Sequence, residues 1–148
     1  MDHEWTREGY TISTDRGRLD LDAIHAFLVR SYWAAGVPRA LVARSIEHSL
    51  CFGVYEGARQ IGFARVITDE ATVAFVSDVF VLEPWRGRGL GKWLIEAIVS
   101  LPDLRGLRRW MLVTNDAHGL YRRVGFTPPA HPERLMEKVD PDPYRDRS

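Results

Sequence analysis

The stretch "EPWRGRGLGKW", residues 83–93, decides how the rest of the chain is interpreted. Three glycines and two arginines lie between Arg86 and Gly91, directly after the apolar run "FVSDVFVL". Apolar residues then recur at helical spacing and stop at Pro102: Leu90, Trp93, Leu94, Ala97, Ile98 and Leu101. A strand, a glycine turn and a helix start in this order predict an anion site. The first N–H groups of a helix are unpaired, and glycines allow close approach and positive φ.

Three phosphate-binding patterns compete for this stretch. A P-loop ending at Gly91-Lys92 requires glycine where Arg86 stands and Ser or Thr where Trp93 stands. A dinucleotide fingerprint starting at Gly87 requires glycine at Lys92. The third pattern, R-x-x-G-x-G, matches at Arg86, Gly89 and Gly91. The alternative is a glycine-rich connection that binds nothing.

Upstream, the pattern predicts a strand, two helices and a hairpin. "GYTISTD" (9–15) alternates like a strand, and "LDLDAIHAFLVRSYW" (19–33) has helical spacing. "PRALVARSIEHSL" (38–50) opens on a proline, as helices often do. "LCFGVYEGARQIGFARVIT" (50–68) reads as two strands around the turn "EGAR". "ATVAFVSDVFVL" (71–82) is apolar on both faces except at Ser77 and Asp78, which predicts a central strand of a covered sheet.

Downstream, "RRWMLVT" (108–114) predicts a strand and "NDAHGLYRRVGF" (115–126) a short helix, capped by Asn115 or Asp116 and ended by Gly125. "RLMEKV" (134–139) predicts a last strand. The order β, α, α, β, β, β, α, β, α, β favours a mixed sheet covered on both faces. We expect a single domain over residues 1–140 and a flexible tail over 141–148.

Composition excludes several classes of protein. The 148 residues carry zero formal net charge, so no global field attracts nucleic acid or an anionic membrane. No apolar stretch reaches the length of a membrane span, and no signal peptide is recognisable. The single Cys51 lies in apolar surroundings and is interpreted as a buried core residue of a cytoplasmic protein. No Cys/His cluster has metal-ligand spacing, so no metal is expected.

Two motifs together resemble the GNAT superfamily of acyl-CoA-dependent N-acyltransferases. "DVFVLEPWRGRGLGKWLIEAI" (78–98) resembles its coenzyme-A-binding motif, including the preceding proline. The second motif, A-x-x-L-Y-x-x-x-G-F, matches at residues 117–126. Where the family commonly has Asn before this motif, the chain has Thr114, with Asn115 one place later. The resemblance implies a GNAT-like α/β (α+β) fold: a mixed, mostly antiparallel sheet of six to seven strands with helices on both faces.

The resemblance also implies acetyl-CoA as co-substrate and a set of contact residues. Main-chain groups of Phe80, Val81 and Leu82 would hold the pantetheine arm and the acyl carbonyl. The expected pyrophosphate contacts are Arg86, Gly87, Arg88, Gly89, Leu90, Gly91 and Lys92, and Asn115 and Tyr121 complete the expected set.

Acyl transfer to an amine requires a neutral amine. Holding an alkylamine of pKa about 10.4 neutral at pH 7 costs roughly 4.6 kcal/mol. Asp78 is the candidate base, since it is the one acid inside an apolar strand leading to the glycine stretch. The alternative is that Asp78 anchors a neighbouring loop, or binds the amine as a counter-ion. His25, Glu47 and His48 are interpreted as surface or packing residues.

The leaving thiolate is best stabilised by a proton donor. A phenol has a pKa of about 10 and a thiol about 8.5, so Tyr121 stays protonated at pH 7 and can donate to sulfur. In the family, the tyrosine at this position is the usual general acid. The alternative is an aromatic core residue.

The leading hypothesis is therefore an N-acetyltransferase acting on a small-molecule or peptide amine. Two alternatives stay open: a non-catalytic CoA-binding module or sensor, and an acyltransferase that uses another acyl-CoA or a hydroxyl acceptor. Arg30, Tyr32, Trp33 and Glu47 could line an amine pocket. A homodimer is common among similar proteins. Neither nucleic acid nor a membrane is an expected partner.

Overall fold

The computed structural model describes residues 1–145, so residues 146–148 of the expected tail lie outside the described residues. Six strands of this described part of the chain form one sheet in the order β1 to β6. They are β1 (Glu4–Arg7), β2 (Tyr10–Ser13), β3 (Leu50–Glu56), β4 (Arg59–Thr68), β5 (Val73–Val81) and β6 (Arg109–Leu112). Neighbours are antiparallel except for β5 and β6, which are parallel. The expected mixed, mostly antiparallel sheet is confirmed.

Within residues 1–145, four α-helices cover the sheet: α1 (Leu21–Leu28), α2 (Arg39–Glu47), α3 (Leu90–Ser100) and α4 (His118–Arg122). The buried residues of α1 and α2 form one apolar cluster with Cys51, Phe63 and Phe80. Those of α3 and α4 form a second cluster with Phe52, Val54 and Val76. Because side chains alternate across strands, the two clusters lie on opposite faces of the sheet.

Two elements near the start of the chain differ from the sequence-based expectation. A strand at Glu4–Arg7 was missed; it forms a hairpin with β2 through Glu8 and Gly9, which have φ of 51° and 86°. Positive φ at both turn residues is the geometry of tight hairpins, for which Glu-Gly is a weak signal. The first helix ends at Leu28 rather than near Trp33. There the Ser31 hydroxyl bonds to the Leu28 carbonyl, in competition with the helical backbone pattern.

The expected strand at residues 134–139 is wrong. The segment has no ladder partner among the described strands, and Met136 and Val139 are 96% and 69% exposed. Before it, Pro128, Pro129 and Pro132 remove backbone donors and fix φ, so the connection from α4 cannot turn freely toward β6.

A bulge in β5 reverses which side chains face each layer. Phe63 and Arg65 of β4 pair with Phe80 and Ser77 of β5, so an extra residue is accommodated on β5. Asp78 lies there with φ of 52°. Before the bulge, Ala74 and Val76 belong to the α3 cluster, whereas after it Phe80 points into the α1–α2 cluster. The bulge thus brings Phe80 and Asp78 to the layer that contains the α1–α2 segment.

Candidate active site

The glycine stretch forms an open turn at the N-terminus of α3. Gly89 caps the helix with φ of 78°, and Gly87 has φ of 80°. A Cβ added at Gly87 or Gly91 would meet nothing within 4 Å, and one added at Gly89 would meet only Arg7 Nη2 at 3.8 Å. Close packing therefore does not require glycine at these positions, and the space beside the helix start is open. Space, unpaired N–H groups and the helix dipole together suit a bound phosphate.

Cationic side chains surround this turn, and one comes from a distant part of the sequence. Arg86 Nε donates to the Val81 carbonyl at 2.9 Å, and Arg88 Nη1 donates to the Tyr10 hydroxyl at 2.7 Å. Arg7 of β1 donates to the Gly89 carbonyl at 3.4 Å and lies over the Trp93 ring. Sequence reasoning missed Arg7, since only the pairing of β1 with β2 brings it here.

The two parallel strands separate next to this turn. The β5–β6 pairing runs from Val73–Arg109 to Val76–Leu112, and β5 continues five residues beyond it. Of the backbone groups expected to hold the pantetheine arm, the Leu82 N–H already donates to the Ile61 carbonyl at 2.8 Å. The Val81 carbonyl accepts from Arg86. The Phe80 ring is buried and stacks on Phe27 with centroids 3.9 Å apart.

Tyr121 lies on α4, which follows β6 as α3 follows β5. Its side chain is 8% exposed and lines a groove of about 950 Å³ beside β6. Burial raises the pKa of the Tyr121 phenol from 10.0 to about 12, and the nearby Tyr32 phenol and Asp116 carboxyl add to the rise. The phenol is therefore protonated throughout the ordinary pH range. It is both a packing residue of the α3 cluster and an available donor.

Thr114 organises the start of α4. Its hydroxyl accepts hydrogen bonds from the backbone N–H of Asp116 and of Ala117, at 3.4 and 3.1 Å. The expected cap at Asn115 or Asp116 is wrong, since Ala117 stands at the N-cap of α4 and no side chain caps the helix. The Asn115 backbone N–H donates to the Tyr32 hydroxyl at 3.3 Å. The segment between α1 and α2 thus reaches the turn that leads to Tyr121.

Asp78 has two polar partners. Its Oδ2 accepts from Arg65 Nε at 2.8 Å, in an ion pair whose side chains are 10% and 15% exposed. Its Oδ1 accepts from Trp33 Nε1 at 2.8 Å. This is the geometry of a carboxylate that anchors the α1–α2 segment, the alternative considered from the sequence. To act as a base, the Asp78 carboxylate would first have to break its ion pair with the Arg65 guanidinium, which stabilises its charged form.

Of the other residues considered for an amine pocket or as bases, some are exposed and one has a hydrogen-bond partner within the fold. Tyr32 and Trp33 are 57% and 40% exposed and contact each other edge to face. Glu47 and His48 are exposed, and His25 Nε2 lies 2.8 Å from the Val37 carbonyl. The structure therefore brings Tyr32, Trp33 and Asp78 together near the α4 turn. His25 is instead paired with the Val37 carbonyl.

Comparison with known proteins agrees with this geometry. A family model described as the acetyltransferase (GNAT) domain matches residues 47–128. A curated protein of Gibberella zeae with an acetyltransferase name is 33% identical over 138 residues, covering 79% of this chain and 78% of that protein. Since the family model spans more than half of the chain, the chain belongs to the GNAT acetyltransferase family.

A solved structure and a plant relative add detail. The crystal structure of a protein of Xanthomonas campestris pv. campestris assigned to the GNAT family is 51% identical, with a TM-score of 0.90, covering 95% of this chain and 99% of that chain. Serotonin N-acetyltransferase 2, chloroplastic, of Oryza sativa subsp. japonica is 30% identical over 159 residues, covering 97% of this chain and 69% of that protein.

Residues 1–145 contain neither a membrane-spanning helix nor a cluster of metal ligands. No helix in this range has the length and hydropathy needed to cross a membrane. No three His, Cys, Asp or Glu side chains in the same range are grouped so that they could hold a metal ion.

Proposed function

We propose that the protein is an N-acetyltransferase that transfers the acetyl group of acetyl-CoA to a primary amine by direct attack. The observation that carries the proposal is that two strand-to-helix turns, β5 to α3 and β6 to α4, lie next to each other. One is an open glycine turn with cations at the start of α3, and the other leads to the buried phenol of Tyr121. The first suits a pyrophosphate, and the second supports the proposal that Tyr121 acts as a proton donor beside the separated strands.

The residues of the chain have separate tasks in this proposal. The α3 turn, with Arg86, Arg88, Lys92 and Arg7, binds the pyrophosphate and thereby sets the position of the thioester. Tyr121 donates a hydrogen bond to the sulfur as the carbon–sulfur bond breaks. Because the pKa of about 12 exceeds that of a thiol by roughly 3.5 units, complete transfer of the proton is uphill by about 4.8 kcal/mol. The phenol therefore acts mainly while negative charge develops on sulfur.

The source of the neutral amine differs from the simplest sequence interpretation. Asp78 forms an ion pair with Arg65 and accepts a hydrogen bond from Trp33. We therefore propose that Asp78 positions the segment between α1 and α2, called the acceptor-side segment because it would line the acceptor site. The amine then loses its proton to water or to its own surroundings before attack. On this proposal the rate at low acceptor concentration rises with pH up to the pKa of the acceptor amine.

The acceptor is proposed to be a small amine that contacts exposed aromatic rings. Tyr32 and Trp33 lie beside the turn that leads to Tyr121, and their faces suit an aromatic or aliphatic acceptor body. The 30% identical rice protein is named for an arylalkylamine acceptor. Arylalkylamines are therefore the first compounds to test, ahead of alkylamines, amino acids and peptide N-termini.

The deciding experiment measures thiol release from acetyl-CoA with this amine panel, alongside calorimetric binding of CoA. Turnover with an amine and none with the matching alcohol supports the proposal. Micromolar CoA binding with no turnover on the whole panel would instead favour a non-catalytic CoA-binding module. Turnover only with a longer acyl-CoA or a hydroxyl acceptor would move the protein to the second alternative. A cytoplasmic location remains a prediction from the sequence.

A further inference from the structure

The β1–β2 hairpin contacts the glycine stretch at three points. Arg7 and Tyr10 pair across the hairpin, on either side of its two-residue turn. Arg7 Nη2 donates to the Gly89 carbonyl at 3.4 Å, and the Arg7 guanidinium carbon lies 4.9 Å from the centroid of the Trp93 ring. The Tyr10 hydroxyl accepts a hydrogen bond from Arg88 Nη1 at 2.7 Å. The hairpin therefore forms one side of the turn that is proposed to hold the pyrophosphate.

Two arginines near the start of the chain lie over aromatic rings, and they differ in their other partners. Arg18 lies over the Tyr55 ring at 4.6 Å and forms an ion pair with Glu4 at 2.8 Å. Arg7 forms no ion pair within residues 1–145, and its one hydrogen bond there is the contact of 3.4 Å to a carbonyl. Arg7 is also exposed, so one face of its guanidinium rests on the indole and the other is accessible. No carboxylate balances its charge, which suits an anionic ligand.

A guanidinium offers two different surfaces to a ligand. Its edge carries N–H donors in one plane that suit phosphate oxygens, whereas its flat face stacks on aromatic rings and on nucleobases. The nucleotide end of coenzyme A contains both kinds of group, because the pyrophosphate leads to a ribose that carries an adenine base. The pantetheine arm contains no ring. The two surfaces of Arg7 therefore match the nucleotide end better than the arm.

The order of the strands separates the two ends of the coenzyme. The thioester is proposed to lie where β5 and β6 separate, near one edge of the sheet, whereas Arg7 lies on β1 at the opposite edge. With the pyrophosphate at the start of α3, the pantetheine arm runs toward β6. The nucleotide then leaves the turn on its other side, which is the side of the hairpin.

We propose that Arg7 binds the nucleotide end of coenzyme A, with the adenine stacked on the guanidinium face that is turned away from Trp93. The proposal rests on the function proposed above, because it takes the pyrophosphate to bind at the α3 turn. The cation then lies between two ring systems, each of which attracts it. The N-terminal hairpin, although remote in sequence from the glycine stretch, thus supplies a contact that distinguishes coenzyme A from a donor without the nucleotide.

The test compares CoA with 4′-phosphopantetheine, which has the arm and one phosphate but lacks the adenosine. Calorimetry gives the dissociation constant of each ligand and hence the preference for CoA, without relying on turnover. Arg7→Lys keeps the charge and loses the flat face, whereas Arg7→Gln loses the charge as well. The preference for CoA should fall at least about fivefold in both variants, since stacking of one base contributes on that scale. In Arg7→Gln the dissociation constant of CoA should rise about tenfold or more, the scale of a lost charge-assisted hydrogen bond.

Arg18→Gln is the matched control, because it also removes an arginine that lies over a ring. Arg18 lies just before α1, and the α1 cluster lies on the opposite face of the sheet from α3. Arg18→Gln should therefore leave both affinities unchanged, even where it lowers the temperature of thermal unfolding. A cooperative thermal transition in each variant shows that the fold is intact.

The possible results separate this proposal from the proposed function. If Arg7→Lys keeps the full preference for CoA, Arg7 acts through its charge alone and the stacking is wrong. If Arg7→Lys and Arg7→Gln weaken both ligands equally, Arg7 contacts only the phosphate that the two ligands share, and the nucleotide contact is wrong. If the wild-type chain binds CoA and neither variant changes the affinity, this proposal fails while the proposed function stands. Absence of CoA binding by the wild-type chain would refute the proposed function and this proposal with it.

Discussion

The two parallel strands of the sheet each lead into a helix, and the two connections are built differently. After β5, a glycine turn with arginines opens onto α3, an 11-residue helix with six buried residues. After β6, a threonine turn leads to α4, which has five residues and buries only Tyr121. The first connection leaves space at a helix N-terminus, and the second packs the Tyr121 side chain against the sheet. On the function proposed above, binding and chemistry are thus separated between two adjacent strand-to-helix connections.

The largest effect is expected from Tyr121→Phe, which keeps the ring and removes the proton. General acid catalysis typically contributes 10²–10⁴-fold, so kcat and kcat/KM should fall together by roughly that factor. CoA affinity, measured by calorimetry, should be unchanged. A Phe variant within about threefold of the wild-type rate, with chemistry shown to be rate-limiting, would leave the second connection a purely structural role.

The second largest effect is expected from Asp78→Asn, which keeps the size of the side chain and tolerates the positive φ. It leaves the guanidinium of Arg65 without its carboxylate at a site where both side chains are mostly buried. Breaking such a pair costs about 3–5 kcal/mol of the free energy of unfolding. Chemical denaturation measures this loss.

Kinetics with Trp33→Phe separates the two roles of Asp78. If the carboxylate anchors the acceptor-side segment, Trp33→Phe and Asp78→Asn should both raise the KM of the acceptor and change kcat less than about threefold. A loss of kcat of about 100-fold in Asp78→Asn alone would instead assign it the role of base, since general base catalysis contributes on that scale.

A third effect should be confined to binding at the first connection. Gly89→Asp puts a carboxylate where the pyrophosphate is proposed to lie, and two like charges about 4 Å apart repel by about 4 kcal/mol near a protein surface. We expect CoA affinity to fall about 100-fold or more in calorimetry. Gly106→Asp is the matched control, because Gly106 has φ of 83° and an equally open surrounding. Equal CoA affinity in both variants would remove the loop from the binding site.

The smallest effect concerns stability at high pH. Tyr121 is protonated in both states below pH 10, but between pH 10 and about 12 only the unfolded chain releases its proton. The free energy of unfolding should therefore fall with rising pH, by about 1.4 kcal/mol per unit for this phenol. Tyr55, whose pKa burial also raises to about 12, adds to the fall. Denaturation at pH 10 and 11 should show a smaller loss in Tyr121→Phe than in wild type, and an equal loss would contradict the buried phenol.

Local pattern was enough to predict the first connection, whereas for the second it predicted the strand and the short helix but not the cap. Positive φ, open space and a helix start at residues 87–91 depend on glycines and on the spacing of neighbouring apolar residues, which are visible in sequence. The cap of α4 was assigned to Asn115 or Asp116, whereas Ala117 stands at that position without a side-chain cap, and the Thr114 hydroxyl accepts from the Ala117 N–H before the helix begins. Several side chains in one short polar run can cap, and only the path of the chain selects among them.

The sequence by itself determined the family, the order of most elements, the buried Cys51 and the position of the glycine turn. The family follows from the resemblance of the two motifs at residues 78–98 and 117–126. The other features follow from periodicity, from backbone freedom at glycine and from the apolar surface that each segment must bury. Only the tertiary structure decided that Arg7 reaches the turn, that Asp78 is paired with Arg65 and Trp33, and that residues 134–139 leave their own sheet edge open. Each of these depends on contacts, made or not made, between residues that are distant in the chain. Such contacts are set by the packing of the whole sheet and leave no local signal in the order of the residues.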